Sequence, residues 1–305
     1  VVISIILLSF FYAYLFHFVT NQPLKIRLLN AIPLSIISSA IAIPSVKNLL
    51  PINREFVIYE SSLSDIVGVL FFNFVARNAV FGIEAFADFG LSIVFMTVIS
   101  LVATVGLSLF LSKINHHIKF APIILMVIVI YEVSKVYHLP ALLFILLFGL
   151  ALGNLHLLSK KKWMQRFKPE ILDREVTKFK ELSIEAAFLI RVLFFLLFGY
   201  LIEAKNVMNP DTLIWSLAIV LIIFLVRAVQ IWLSKLPIIP LLFVAPRGLI
   251  TILLFISIAP IQSIWFVNKA LITQVIILTA FVMMFGLMIN KKTPEVEKSM
   301  PVPTE

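Results

Sequence analysis

An all-α polytopic membrane protein is the fold class this sequence predicts, and three observations carry it. Of the 305 residues, 61% are hydrophobic and 13% charged, and the mean hydropathy is +1.09; no soluble globule of this length hides so much apolar surface. The apolar residues are gathered into stretches of about 17 to 25, the length a helix needs to cross the hydrocarbon core. The bases concentrate in every second connection, as they do where connections alternate between the two sides of a membrane. The net charge of +9 therefore reads as topology rather than as an affinity for nucleic acid. The absence of cysteine excludes disulfides, thiolate metal sites and thiol nucleophiles.

About ten spans follow along the chain, near 1–20, 28–50, 56–82, 89–112, 120–137, 139–157, 182–203, 212–234, 236–259 and 267–290. The first begins at Val1 with no charged leader before it, so it reads as a span of a protein that extends further toward its N-terminus, not as a signal peptide. The second carries Pro33 and Pro44, with Ser38 and Ser39 between them. Proline removes a backbone donor and clashes with the preceding turn, so this span is expected to be broken. The third opens with Glu60-Ser61-Ser62-Leu63-Ser64-Asp65 and runs straight into an apolar segment. The next connection is acidic, with Glu84 and Asp88, and the one after the fourth span is basic, with Lys113 and Lys119.

After the sixth span, segment 158–180 is the one sizeable polar connection, with eight Lys or Arg against three acids and with Trp163, Phe167, Ile171 and Phe179 interleaved. That mixture suits a helix lying on an anionic inner leaflet. The seventh span holds Arg191 among apolar residues and the eighth holds Arg227, for which a structural ion pair or a lipid contact is expected. The ninth, from Pro237 through Pro240 and Pro246 to Arg247-Gly248, reads as a second broken span. Non-helical backbone at membrane depth is tolerated only where it lines a cavity or packs against protein. Two interrupted segments far apart in a chain are the mark of transporters built from inverted repeats. The basic connections, Lys47 with Arg54 and Lys291 with Lys292 among them, place the C-terminus and the tail 291–305 in the cytoplasm.

Asp65 is the first candidate for function. A carboxylate at membrane depth costs roughly 2.5 to 3.5 kcal/mol on insertion scales, so one that persists there usually faces a cavity and has a task. On a helix Ser61, Ser64 and Asp65 share a face at i, i+3 and i+4, with Glu60 one turn before Ser64. That face offers only oxygen, which suits a hard monovalent cation or a proton. The competing reading is that both acids merely open a helix, where they favour the dipole. Arg191 needs a partner at that depth, and Glu60, Asp65, Glu132 and Glu185 are the choices. The five histidines lack ligand spacing with a carboxylate, no glycine-rich loop precedes a helix, and no hydrolase motif is present. No cofactor, structural metal or enzymatic activity is expected.

Several segments together resemble the monovalent cation:proton antiporter superfamily, the sodium/proton exchangers. Glu60-Ser61-Ser62-Leu63-Ser64-Asp65 is similar to that family's Glu-Ser-x-x-Asn-Asp signature, with Ser64 where asparagine is usual. The run from Tyr137 to Gly149-Leu150-Ala151-Leu152-Gly153-Asn154 resembles the span ending in Gly-x-x-x-Gly-Asn. Phe188-Leu189-Ile190-Arg191 resembles the arginine-bearing span, and Pro246-Arg247-Gly248-Leu249 the Leu-Arg-Gly-Ala break. The matches keep the family's order over nearly the whole chain. Ala42-Ile43-Pro44 replaces the Thr-Asp-Pro of many members and so removes a hydroxyl and a carboxylate; Ser38-Ser39-Ala40 is the nearer match to branches with Ser-Ser-Thr.

The resemblance implies a thirteen-helix inverted-repeat fold with two crossing discontinuous helices, of which residues 1–290 hold about ten and lack the first three. It implies a homodimer, an elevator-like movement and a prokaryotic inner-membrane location. By position, Asp65 binds cation and proton in turn, Ser61 and Ser64 supply oxygen ligands, and Glu60 partners a core arginine. Arg191 and Arg247 compensate charge, and Ser38, Ser39, Pro44, Pro246 and Gly248 form the crossing. The expected function is exchange of a monovalent cation, Na+ ahead of K+ or Li+, for protons, and a single carboxylate favours one-for-one exchange by analogy. The rival reading is a cation channel or sensory membrane protein whose buried charges only hold helices together.

Overall fold

A computed structural model of the chain describes residues 1–78, 81–113, 120–137, 141–153 and 169–289. The regular elements among them are all helical: α1 (Val2–His17), α2 (Leu24–Ser35), α3 (Ser39–Ser45), α4 (Pro51–Arg77), α5 (Ile83–Lys113), α6 (Phe120–Val136), α7 (Ala141–Gly153), α8 (Pro169–Leu201), α9 (Ala204–Val207), α10 (Pro210–Leu233), α11 (Ile238–Leu241), α12 (Leu249–Ser257), a 3-10 turn at Pro260–Gln262, and α13 (Lys269–Ile289). Among the described residues, helix falls within each apolar stretch expected from the sequence, and the two proline-bearing stretches are the pairs α2/α3 and α11/α12. Among the described residues, five segments are long and apolar enough to cross a membrane: Leu24–Ser45, Ile83–Ala103, Val176–Tyr200, Pro210–Leu233 and Lys269–Ile289. The histidines at 116, 117, 138 and 156, Asn154 and the tail 291–305 lie outside the described residues.

The helices form two compact units, one made of Val1–Arg77 and Leu201–Glu305, the other of Asn78–Tyr200. In the second unit Met96, Ile123, Phe144, Phe148 and Val176 make the core, with Phe179 packed on it. Phe188, Leu189, Ile190 and Leu196 of α8 point outward, a pattern at home in lipid rather than water. The described part of the basic connection differs from expectation. From Pro169 onward it is the start of α8, running without a break into the apolar span. Val176 and Phe179 tie the segment to the core of this unit. Residues 158–168 lie outside the described set.

In the first unit, the two broken spans cross. The first break falls at Ile36–Ser38, where Ile36 and Ser38 are extended. Pro33 and Pro44 both sit inside helices, so Pro44 is not at the crossing but near the end of α3. Hydrogen bonding explains the position. A helix continuing past Ser35 would use the amides of Ile37 and Ser38 and the carbonyl of Leu34 within itself. Instead the Ile37 amide donates to Ser64 Oγ at 2.9 Å, the Ser38 amide donates to the Pro246 carbonyl at 2.8 Å, and the Leu34 carbonyl accepts from Arg247 Nε at 2.7 Å. Neighbouring elements supply the partners that the helix gives up, which is the condition for irregular backbone at this depth.

The second break, between α11 and α12, is held in the same manner. The Arg247 amide donates to Thr279 Oγ1 on α13 at 3.1 Å, and the Ala245 carbonyl accepts from Arg247 Nη1 at 3.0 Å. Two glycines let backbone approach the breaks. A Cβ on Gly68 of α4 would meet Ile36 Cδ1 at 2.2 Å, and one on Gly286 of α13 would meet Phe243 Cγ at 2.1 Å. Beyond α3 and α11, Ala42, Val46, Val57, Ile231, Leu241, Val244 and Met283 form an apolar core.

Candidate functional site

Helix α4 carries its polar residues on the face that meets the crossing. Glu60, Ser61 and Ser64 are buried there, with Glu60 and Ser64 one turn apart. Asp65 follows, and its Oδ2 accepts both the hydroxyl and, at 3.3 Å, the backbone amide of Ser39, the first residue of α3. Its other oxygen, Oδ1, is buried without a hydrogen-bond partner among the described residues. The structure thus brings Asp65, Ser39 and Ser38 together, with Ser38 tied to Pro246 across the crossing.

The four acidic-face residues have different tasks. Glu60 closes a bidentate ion pair with Arg227 of α10, with Nη1 to Oε1 at 3.0 Å and Nη2 to Oε2 at 2.9 Å. Gln230 donates a third bond to Oε1 at 2.7 Å, and Arg227 Nε holds the Leu241 carbonyl at 2.8 Å. Both partners are about 3% exposed. A buried pair this well satisfied is at its most stable when intact, and losing either partner leaves an uncompensated charge. Ser64 accepts from the first break, as described above, and leaves its own proton free to donate. Ser61 donates to the Val57 carbonyl at 2.7 Å, the back-bond usual for a helical serine, and its oxygen retains lone pairs.

The arginines sort as clearly. Arg247 is 1% exposed and is held by carbonyls, with no carboxylate bonded to its guanidinium. Leu34 belongs to the last turn of α2, so the guanidinium also neutralises the partial negative charge of that helix end. Glu60, Ser35, Ser64, Arg227, Gln230 and Arg247 all line one cavity. Arg191 belongs to α8 in the second unit, where it makes no ion pair with a described residue. The arginine that pairs with Glu60 is Arg227.

Gly248 marks the closest approach of the two breaks. A Cβ there would lie 2.6 Å from Ser38 Oγ and 2.9 Å from Ile41 Cδ1. Four residues of this site give no separate sequence signal. Gln230 and Thr279 are ordinary polar residues one turn or more inside apolar helices, Gly68 is one small residue among many, and Thr251 follows the second break like any helix-start threonine. Only their neighbours in space give them a role.

The set can hold a proton or a hard cation on oxygen and has no nitrogen or sulfur ligand at Asp65. The family model described as sodium/hydrogen exchanger, transmembrane, matches residues 1–291 of the chain. No curated protein matches it.

Proposed function

The chain belongs to the sodium/hydrogen exchanger family, and we propose that it exchanges Na+ for protons across a membrane by alternating access, with Asp65 as the group for which the two ions compete. One observation carries the reading. Asp65 has one oxygen anchored by Ser39 and the other, Oδ1, buried without a partner. A buried acceptor without a donor calls for an explanation. A proton or a cation on Oδ1 supplies it.

Coupling follows from charge. With a proton or with Na+ the Asp65 site is neutral; empty, it is a bare carboxylate, which costs roughly 2.5 to 3.5 kcal/mol at membrane depth. A penalty of that size slows movement of the empty carrier by about a hundredfold, so ions cross mainly by exchange. Glu60 does not add a second exchangeable charge, because its oxygens are already taken up by Arg227 and Gln230. One titrating group gives one-for-one, electroneutral exchange. Arg247 fixes the crossing and keeps a positive charge beside it. Arg191 compensates charge elsewhere in the membrane.

The inverted-repeat architecture is part of the same proposal, and the way the breaks are held supports it. In each half, a broken span is followed by a continuous helix whose hydroxyl receives a break amide. Ser64 receives Ile37 from 27 residues before it, and Thr279 receives Arg247 from 32 residues before it. In each, a glycine of that helix, Gly68 or Gly286, lets the break come close. The dimer, the elevator-like movement and the cytoplasmic tail complete the family's arrangement. The test is dequenching of a pH dye in proteoliposomes bearing the full protein, with Na+, K+ and Li+ added in turn. Cation-dependent proton movement that disappears in Asp65→Asn is expected; movement that persists in that variant overturns the assignment.

A further inference from the structure

Five buried side-chain atoms have no hydrogen-bond partner among the described residues: Arg27 Nε, Ser38 Oγ, Asp65 Oδ1, Thr251 Oγ1 and Gln274 Oε1. Three of the five are oxygens of residues at the crossing. Ser38 ends the first break, Asp65 faces it through Ser39, and Thr251 stands in the first turn of α12, directly after the second. Short steps in the chain and across the crossing link them. Asp65 is bonded to Ser39, Ser38 is next in the chain, and its Oγ is the nearest atom to a Cβ built on Gly248. The Ile252 amide returns to the Gly248 carbonyl at 3.1 Å, so the helical turn that carries Thr251 begins at that glycine. Ser38 is 2% exposed and Thr251 1%.

A hydroxyl buried in an apolar helix ordinarily donates to the carbonyl one turn back. Ser35, Ser45, Ser61 and Thr279 all do so. Thr251, at the start of α12 directly behind the break, makes no such bond. Its oxygen is therefore left with both lone pairs and its proton unspent. Unpaired buried hydroxyls are costly, and in native proteins they are met by water or an ion.

Resting on the reading of Asp65 above, we propose that Thr251 Oγ1 is a ligand of the transported cation, so that α12 of the second broken span joins Ser38 of the first and Asp65 of α4 in one all-oxygen set. Two hydroxyls and one carboxylate oxygen suit a dehydrated monovalent ion of small radius. A threonine hydroxyl does not titrate near neutral pH, so Thr251 favours the cation over the proton in the competition at Asp65. It is a residue for cation selectivity, not for proton binding.

The test measures the half-saturating Na+ and Li+ concentrations of exchange in proteoliposomes for the full protein, Thr251→Val and Thr251→Ser. Valine keeps the shape and removes the oxygen. Thr251→Val is expected to raise the half-saturating Na+ concentration about tenfold, the equivalent of one lost oxygen contact, with the maximal rate retained. Thr251→Ser restores the original value. Na+-induced thermal stabilisation of the purified protein gives an independent reading, since a ligand that binds the folded state raises its stability; it is expected to weaken in Thr251→Val. If the valine variant does not accumulate, Thr251→Ser against Thr251→Ala makes the same comparison. An unchanged half-saturating concentration in a folded Thr251→Val protein overturns the ligand role, provided Asp65→Asn abolishes exchange in the same assay. Exchange surviving Asp65→Asn instead refutes the reading beneath it.

Discussion

Removing Arg227 or Glu60 alone should damage this protein far more than removing both. In the structure Glu60 accepts two bonds from Arg227, at 3.0 and 2.9 Å, and one from Gln230 at 2.7 Å, with both charges nearly sealed from solvent. Arg227→Met leaves a buried carboxylate with one donor, and it also frees the Leu241 carbonyl that Arg227 Nε holds. Breaking one side of such a pair costs about 3 to 5 kcal/mol. Glu60→Gln leaves a buried guanidinium and should cost about the same. The double variant Glu60→Gln with Arg227→Met has no stranded charge, and pairs replaced whole are often close to neutral. The assay is thermal denaturation of the purified full protein in detergent, read as a double-mutant cycle, with exchange measured in parallel. A double variant that unfolds well above either single variant, and still exchanges ions, is expected. Additive losses would refute the ion-pair argument. A folded Glu60→Gln protein that binds Na+ but cannot exchange it would refute the claim that Asp65 is the single titrating carboxylate.

Two further outcomes follow from the crossing. Ser64→Ala should destabilise the protein by about 1 to 3 kcal/mol, because the buried Ile37 amide loses its acceptor, while Ser64→Asn restores an acceptor and should recover most of the loss in a thermal unfolding measurement. Gly248→Ala should cut the exchange rate severely, since its Cβ would press on Ser38 Oγ at 2.6 Å and on Ile41 Cδ1 at 2.9 Å; Gly90→Ala on α5, where a Cβ meets nothing within 4 Å, serves as the control and should leave the rate unchanged.

The face of α4 was legible in the sequence because a helix converts spacing directly into direction. Ser61, Ser64 and Asp65, at i, i+3 and i+4 before an apolar run, fall on one side of the helix. The membrane class was legible because composition leaves no alternative. The two breaks, with Ser38 at the first and Pro246 and Gly248 at the second, were legible in the sequence, but the place of the prolines relative to the first break was not. Pro33 and Pro44 remain inside helices, and the first break lies between them because Ser64, Pro246 and Arg247 take over the backbone groups of Ile37, Ser38 and Leu34. Those three partners come from distant parts of the chain, and no local rule names them. The choice of arginine was hidden for the same reason. Arg191 and Arg227 are both single charges deep in apolar helices, and what separates them is that α10 packs with α4 in one unit while α8 belongs to the other. Segment 169–180 read as a surface helix because bases alternate with aromatics. Its buried Val176 and partly buried Phe179 meet a core that only the folded unit contains.

Competition at one carboxylate has a direct signature: each Na+ that binds must expel the proton it replaces. Adding Na+ to the purified full protein in weakly buffered solution, with a pH indicator present, measures that exchange without a membrane. The expected result is release of close to one proton for each Na+ bound, abolished in Asp65→Asn. Na+ binding with no proton release, or proton release undiminished in Asp65→Asn, would contradict it.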